Sequence, residues 1–131
     1  VVSETETQVD ENNRIIINID KNTSNRFYVY GKSANSRAAM LTSGGTNHFV
    51  EYSADANGKH AVRFDTNNYS TCVNGGTVTD FAGNVSLPDM SGATMLIGDD
   101  ANSGNSIEGH IKRVALYNVA LSDTELQALT S

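Results

Sequence analysis

Residues 109–131 read GHIKRVALYNVALSDTELQALTS. They divide into a strand, a corner and a short helix. The apolar residues of the strand are Ile111, Val114 and Leu116. Their spacing is three and then two. A strict period of two is therefore broken once, near Lys112-Arg113, as a β-bulge breaks it. After Asn118 the chain turns, and Ser122 with Glu125 three residues on forms a capping box, which satisfies two orphan donors at a helix start. Leu121 before the cap and Leu126 four residues after it make a hydrophobic staple. Leu129 extends the apolar stripe. The helix is expected to bury Leu126 and Leu129 and to plug one end of a strand-built body.

Working outward, the rest of the chain is strand-like. Residues 14–20 alternate, with Ile15, Ile17 and Ile19 on one face and Ile16, Asn18 and Asp20 on the other. A turn over 22–25 joins them to residues 26–30. There Phe27 and Val29 oppose Tyr28 and Tyr30, and one pair faces inward. Residues 37–41 form a short strand, Ser43-Gly44-Gly45-Thr46 a turn, and Phe49, Val50 and Tyr52 belong to a further strand or ordered loop. Residues 59–75 read as a hairpin around Asn67-Asn68, a dipeptide that tolerates the positive φ of a tight turn. That loop would pair Val62 with Val73 and Phe64 with Thr71 on one face, and Arg63 with Cys72 on the other. Residues 77–81 form a short strand and 94–98 a buried one. Residues 1–9 alternate weakly and suit either an edge strand guarded by Glu4 and Glu6 or a frayed end. The strand spacing fits an all-β, antiparallel two-sheet sandwich closed by one short helix.

Composition narrows the class. The chain has 131 residues and a formal charge of −6, with Lys and Arg outnumbered by acids, so neither a nucleic-acid backbone nor an anionic membrane is an expected partner. One proline leaves the turns to Gly and Asn. Cys72 is the only cysteine, which excludes an intrachain disulfide and a cysteine-based metal site. It reads as a small packed residue. Three N-x-S/T sequons, at Asn22, Asn68 and Asn84, are expected by chance in so Asn-, Ser- and Thr-rich a chain. The chain is read as one domain, 1–131, from a longer protein.

The run G-H-I-K-R-V-A-L-Y-N-x-A-L-S-D-x-E-L-Q-A-L resembles the closing strand and helix of concanavalin A-like lectin/glucanase domains, also called laminin-G-like jelly-roll domains. The wording is closest to versions that end bacteriophage tail fibres and tailspikes. The match extends weakly through 12–15 and 59–74. The resemblance implies a jelly-roll-type β-sandwich and a lectin-like module that holds host surface polysaccharide. It also implies homotrimeric assembly and a place in the virion tail after folding in the host cytoplasm. Such domains usually carry more strands before Asn12-Asn13-Arg14-Ile15. Either an N-terminal region lies outside this chain, or neighbouring chains complete the sandwich. The alternative role is a trimer cap that binds no sugar, with Ile16 and Ala39 as candidates for an outward apolar face.

Catalysis by this domain is not expected. Hydrolases on this fold carry an E-x-D-x-x-E spacing that sets two carboxylates on one strand face, and no such spacing occurs. His48, His60 and His110 are too scattered for a metal or nucleophile motif, and Gly44-Gly45 lacks the Lys and helix of a phosphate loop. His60 and His110 read as structural strand residues. For calcium, the candidates are Asp99, Asp100, Asn102 and Asn105, hard oxygen donors at near-alternate positions around a Gly turn. The same residues also read as a solvated Asx-rich turn. For a glycan, the chemistry asks for aromatic faces that stack on sugar rings, with short polar groups for the hydroxyls. Tyr28, Tyr30, Tyr52 and Tyr69 supply the first, and Asn47 and His48 the second. The competing reading packs each tyrosine against a cross-strand neighbour.

Overall fold

The computed structural model describes residues 2–5, 14–33, 36–53, 58–66, 68–83, 86–99, 104–107 and 109–131, with the backbone alone at 2–5, 32–33, 36–38, 53 and 82. The elements in order are β1 (Val2–Thr5), β2 (Arg14–Asn22), β3 (Asn25–Ser33), β4 (Ser36–Ser43), β5 (Thr46–Ser53), β6 (Gly58–Asp65), β7 (Asn68–Val73), β8 (Thr79–Ala82), β9 (Thr94–Ile97), β10 (Ile111–Ala115) and α1 (Asp123–Thr130). They form two antiparallel five-stranded sheets, β10-β1-β6-β7-β8 and β5-β4-β3-β2-β9. We call the first the helix-backed sheet and the second the meander sheet. The expected jelly-roll-type sandwich with a short C-terminal helix is what the chain forms.

The core lies between the sheets. Ile17, Phe27, Val29, Ala39, Leu41 and Val50 come from the meander sheet and meet Val62 of β6, with Phe64, Tyr69, Val73 and Phe81 packed beside them. Phe27 and Phe64 meet edge to face across the interface, with centroids 5.3 Å apart. The β4–β5 turn uses Gly44 and Gly45 at φ +56° and +85°, the conformation that a two-residue hairpin loop needs and that side chains resist.

Two bulges correct the face assignments made from alternation. In β2, Ile15 pairs with Tyr30 and Ile17 with Val29, so Ile16 is the extra residue. The bulge turns Ile16 into the core, where it is 1% exposed, and sets Ile15 on the Tyr30 side. Ala39 is fully buried as well. The two residues named for an outward trimer face are thus both core residues. In β10 the break falls where the spacing placed it. Glu4 pairs with Arg113 and Thr5 with Ile111, so Lys112 is the extra residue of the bulge. Ile111 and Val114 consequently share the core face. Leu116 lies past the strand end and is 55% exposed.

Other expectations change too. β1 is no edge strand, because it sits between β10 and β6 with both sides paired. Glu6 lies outside the described residues. The β6–β7 hairpin keeps its faces and shifts its register: Val62 pairs with Thr71, Phe64 with Tyr69, Arg63 with Ser70 and Asp65 with Asn68. Among the described residues β9 is an edge strand that pairs only with β2, and its core-side Met95 and Ile97 are about half exposed instead of buried.

The helix carries the capping box. The Glu125 carboxylate accepts from Ser122 N at 2.7 Å, and Ser122 Oγ accepts from Glu125 N at 3.4 Å. It does not plug an end. It lies across β6 and β7, with Leu126, Leu121 and Leu129 against Ala61, Cys72 and Ala115. Ala61 and Cys72 are cross-strand partners whose neighbours in sequence, Val62 and Thr71, face the other sheet, so this cluster is on the outer side of the helix-backed sheet. Arg63 fastens the helix start. One guanidinium nitrogen donates to Leu121 O and to Asp123 Oδ1, both at 2.8 Å, and the other to Ser70 Oγ and Asp80 Oδ1 at 2.6 and 3.2 Å.

Candidate functional site

The register of the meander sheet brings one set of polar and aromatic residues onto its outer side. Because Ile17, Ile19, Phe27, Val29, Leu41 and Val50 face the core, their alternates face outward. The cross-strand pairs arrange these in rows. One row is Leu96, Asn18, Tyr28, Met40 and Phe49. The next is Thr94, Asp20, Arg26, Thr42 and Asn47. Tyr30 and Glu51 stand in a third. Among the described residues the only helix lies on the other sheet, so this face is not capped as the helix-backed face is.

The face is internally wired. Thr42 Oγ1 donates to Asn47 Oδ1 at 2.7 Å and accepts from Arg26 Nε at 3.3 Å. The Arg26 guanidinium carbon stands 5.4 Å from the Tyr28 ring centroid, within cation–π range. Tyr28 OH donates to Asp20 Oδ2 at 3.4 Å. Tyr30 and Phe49 contact one another with centroids 6.3 Å apart. Burial, helped by Asp20, raises the Tyr28 phenol above its ordinary range, and burial with Glu51 does the same for Tyr30. Both phenols therefore remain protonated donors at neutral pH. Asn18 is 2% exposed, yet its Oδ1, like Asp20 Oδ1, has no hydrogen-bond partner among the described residues.

Three of the six residues expected to bind a glycan, Tyr28, Tyr30 and Asn47, meet on this face. The others do not. Tyr52 is 7% exposed in the inter-sheet core, with its ring 6.2 Å from that of the buried His60. His48 pairs with Leu41 and shares its core-facing side. Tyr69 stacks on Phe81 at 5.6 Å and 6° between the sheets. Strand parity separates the two groups, and parity alone does not say which side is inside. His110 is exposed just before β10 and is not in a strand. Asn18, Asp20, Arg26, Thr42, Phe49 and Glu51 were not expected at the site. The signal for Asn18 and Asp20 was their alternation with Ile17 and Ile19.

Asp100 and Asn102 of the possible calcium loop lie outside the described residues. Asp99 Oδ1 accepts from Ser106 Oγ at 3.0 Å, and Asn105 O accepts from Ile15 N at 2.9 Å. Arg14 donates to the carbonyls of Gly104 and Ser106, both at 3.2 Å. Among the described residues no group of three or more His, Cys, Asp or Glu could hold a metal ion.

A concavity of about 500 Å³ is lined by Ile19, Phe27, Phe64, Met90, Leu116 and Leu121. Its walls are chiefly apolar, and the guanidinium of Arg63 beside it is spent on Ser70, Asp80, Leu121 and Asp123. A sugar would bury hydroxyls there with few partners, which is costly. The outer face of the meander sheet suits a sugar better.

A family model described as the concanavalin A-like lectin/glucanases superfamily matches residues 3–127. The chain belongs to this superfamily. Among solved structures it is similar to the CBM40 of the Ruminococcus gnavus IT-sialidase bound to α2,3-sialyllactose, with a TM-score of 0.79 and 20% identity over 99% of this chain and 80% of that one. The same module described without a ligand gives a TM-score of 0.80 at 20% identity, over 99% and 81%. The leech intramolecular trans-sialidase complexed with 2,7-anhydro-Neu5Ac gives 0.75 at 18%, over 98% of this chain and 22% of that one. At these identities the likeness establishes the fold. No curated protein sequence matches the chain.

Proposed function

We propose that the domain is a non-catalytic carbohydrate-binding module that holds its glycan on the outer face of the meander sheet. The observation that carries this reading is the registered set of Tyr28, Tyr30 and Phe49 with Asn18, Asp20, Arg26 and Asn47 on one sheet side. Aromatic faces offer stacking area to the C–H side of a pyranose, and the short polar groups between them meet hydroxyls. Modules of the same fold are described in complex with sialyllactose, which supports an oligosaccharide as the partner. The finer setting belongs to the proposal and rests on the sequence resemblance alone: a tail fibre or tailspike, host surface polysaccharide as ligand, homotrimeric assembly and location in the virion tail.

The test is a screen of the folded domain against immobilised bacterial and host glycans, followed by calorimetry on the hits. Binding without release of cleaved product supports the reading. Absence of binding across the screen while the domain remains folded removes it, and turnover of a bound glycan removes its non-catalytic part.

A further inference from the structure

We infer that the floor of this face, Asn18 with Asp20, reads hydroxyl donors, so that the module takes a neutral, hydroxyl-rich sugar and discriminates against one that presents a carboxylate. The inference rests on the proposed glycan role and names its ligand class.

Asn18 and Asp20 are two apart on β2 and lie on the same outward side, opposite Tyr28 and Arg26 of β3. Asn18 is 98% buried, from an exposure of 2%. The Oδ1 atoms of both residues are buried and, among the described residues, unpartnered. Buried acceptors are rarely left so, since an unmet one forfeits the hydrogen bonds it made with water. Among the groups of a sugar, only hydroxyl O–H and amide N–H complete them. A carboxylate brings neither.

Charge agrees with the donor argument. The ionisable side chains described on this face, other than the tyrosines, are Asp20, Arg26 and Glu51, two acids and one base. Arg26 is already engaged through Nε with Thr42 and through its plane with Tyr28. Both tyrosine phenols sense a neighbouring acid, Tyr28 from Asp20 and Tyr30 from Glu51, after burial as the larger cause. An acidic sugar would approach this field against repulsion, on a chain that already carries −6.

Calorimetry on the 131-residue chain tests this with two sets of probes. One is a panel of neutral oligosaccharides ending in galactose, glucose, mannose or N-acetylglucosamine, with lactose included. The other is 3′- and 6′-sialyllactose. A neutral probe should bind, and Asp20→Asn and Asn18→Leu should each weaken it by at least about tenfold. Asn18→Leu should also raise the melting temperature by ~3 °C, because it removes an unmet acceptor and leaves an apolar group in its place. A merely structural asparagine would lower it. Binding of the sialyllactoses alone overturns this inference and leaves the glycan reading standing. Wild-type affinity in both variants overturns it as well. So does binding that vanishes in EDTA and returns with calcium, since a cation and not a hydroxyl would then fill the acceptors. No binding to any glycan overturns both readings.

Discussion

The outer sides of the two sheets are built from similar alternating strands and end in opposite ways. On the helix-backed sheet the outward residues under the helix are small: Ala61 and Cys72 on β6 and β7, with Ala115 on the edge strand β10. They leave a shallow bed into which Leu126, Leu121 and Leu129 settle, and Arg63 fastens the helix start to Ser70 and Asp80. On the meander sheet the corresponding residues are Tyr28, Tyr30, Phe49, Arg26 and Asn18. They are too large and too polar for a helix to lie on without stranding their hydrogen-bonding groups. Side-chain volume and polarity thus decide which side takes the helix and which does not.

Changes to the sealed side should cost stability and spare binding. The largest effect is expected from Leu126→Ala, which empties the bed under the helix. A loss of about 3 kcal/mol in urea denaturation is expected, with glycan affinity retained in the folded fraction. Arg63→Met removes the fastening at a side chain only 13% exposed. It should cost about 2 kcal/mol, since its partners include charged groups held in fixed geometry. On the open side the pattern should invert. Tyr28→Ala should weaken glycan binding by about tenfold, roughly 1.4 kcal/mol, while the denaturation midpoint moves little. If Tyr28→Ala instead unfolds the domain, the two sides do not differ as described.

The smallest effect concerns the helix cap. Ser122→Ala should cost about 1 kcal/mol. The Glu125 carboxyl is held below its ordinary range by hydrogen bonds from the Ser122 hydroxyl and backbone N–H. A carboxyl whose folded value is depressed contributes its stabilisation in full above the unfolded value, here 4.5, and loses it as pH falls through the folded one. The wild type should therefore lose more stability than Ser122→Ala on acidification below pH 4.5, as paired thermal melts would show.

Local chemistry made much of this legible in the chain, and long-range geometry hid the rest. The capping box, the staple and the break in β10 are relations among residues a few positions apart, so Ser122, Glu125, Leu121, Leu126 and Lys112 could be assigned in advance. The strand partners of β1 lie 53 or more residues away, and nothing within 2–5 reports whether such pairing occurs. The bulge at Ile16 reversed the faces of Ile15 and Ile16, because one extra residue exchanges every side chain beyond it. Tyr28 and Tyr52 look alike in sequence, yet one stands on the outer side and the other is buried against His60. Asn18 and Asp20 could be placed opposite Ile17 and Ile19 but not recognised as a site. Their unmet oxygens become visible only once Tyr28, Arg26 and Leu96 are set beside them.

The most direct test of the open face is amide chemical-shift mapping of the isotopically labelled domain, titrated with a glycan that binds it. The account predicts shifts concentrated on residues 18–20, 26–30, 40–42 and 47–51, with residues 122–130 and 61–72 unmoved. Shifts centred on α1, or on the apolar concavity around Leu116 and Leu121, would contradict it.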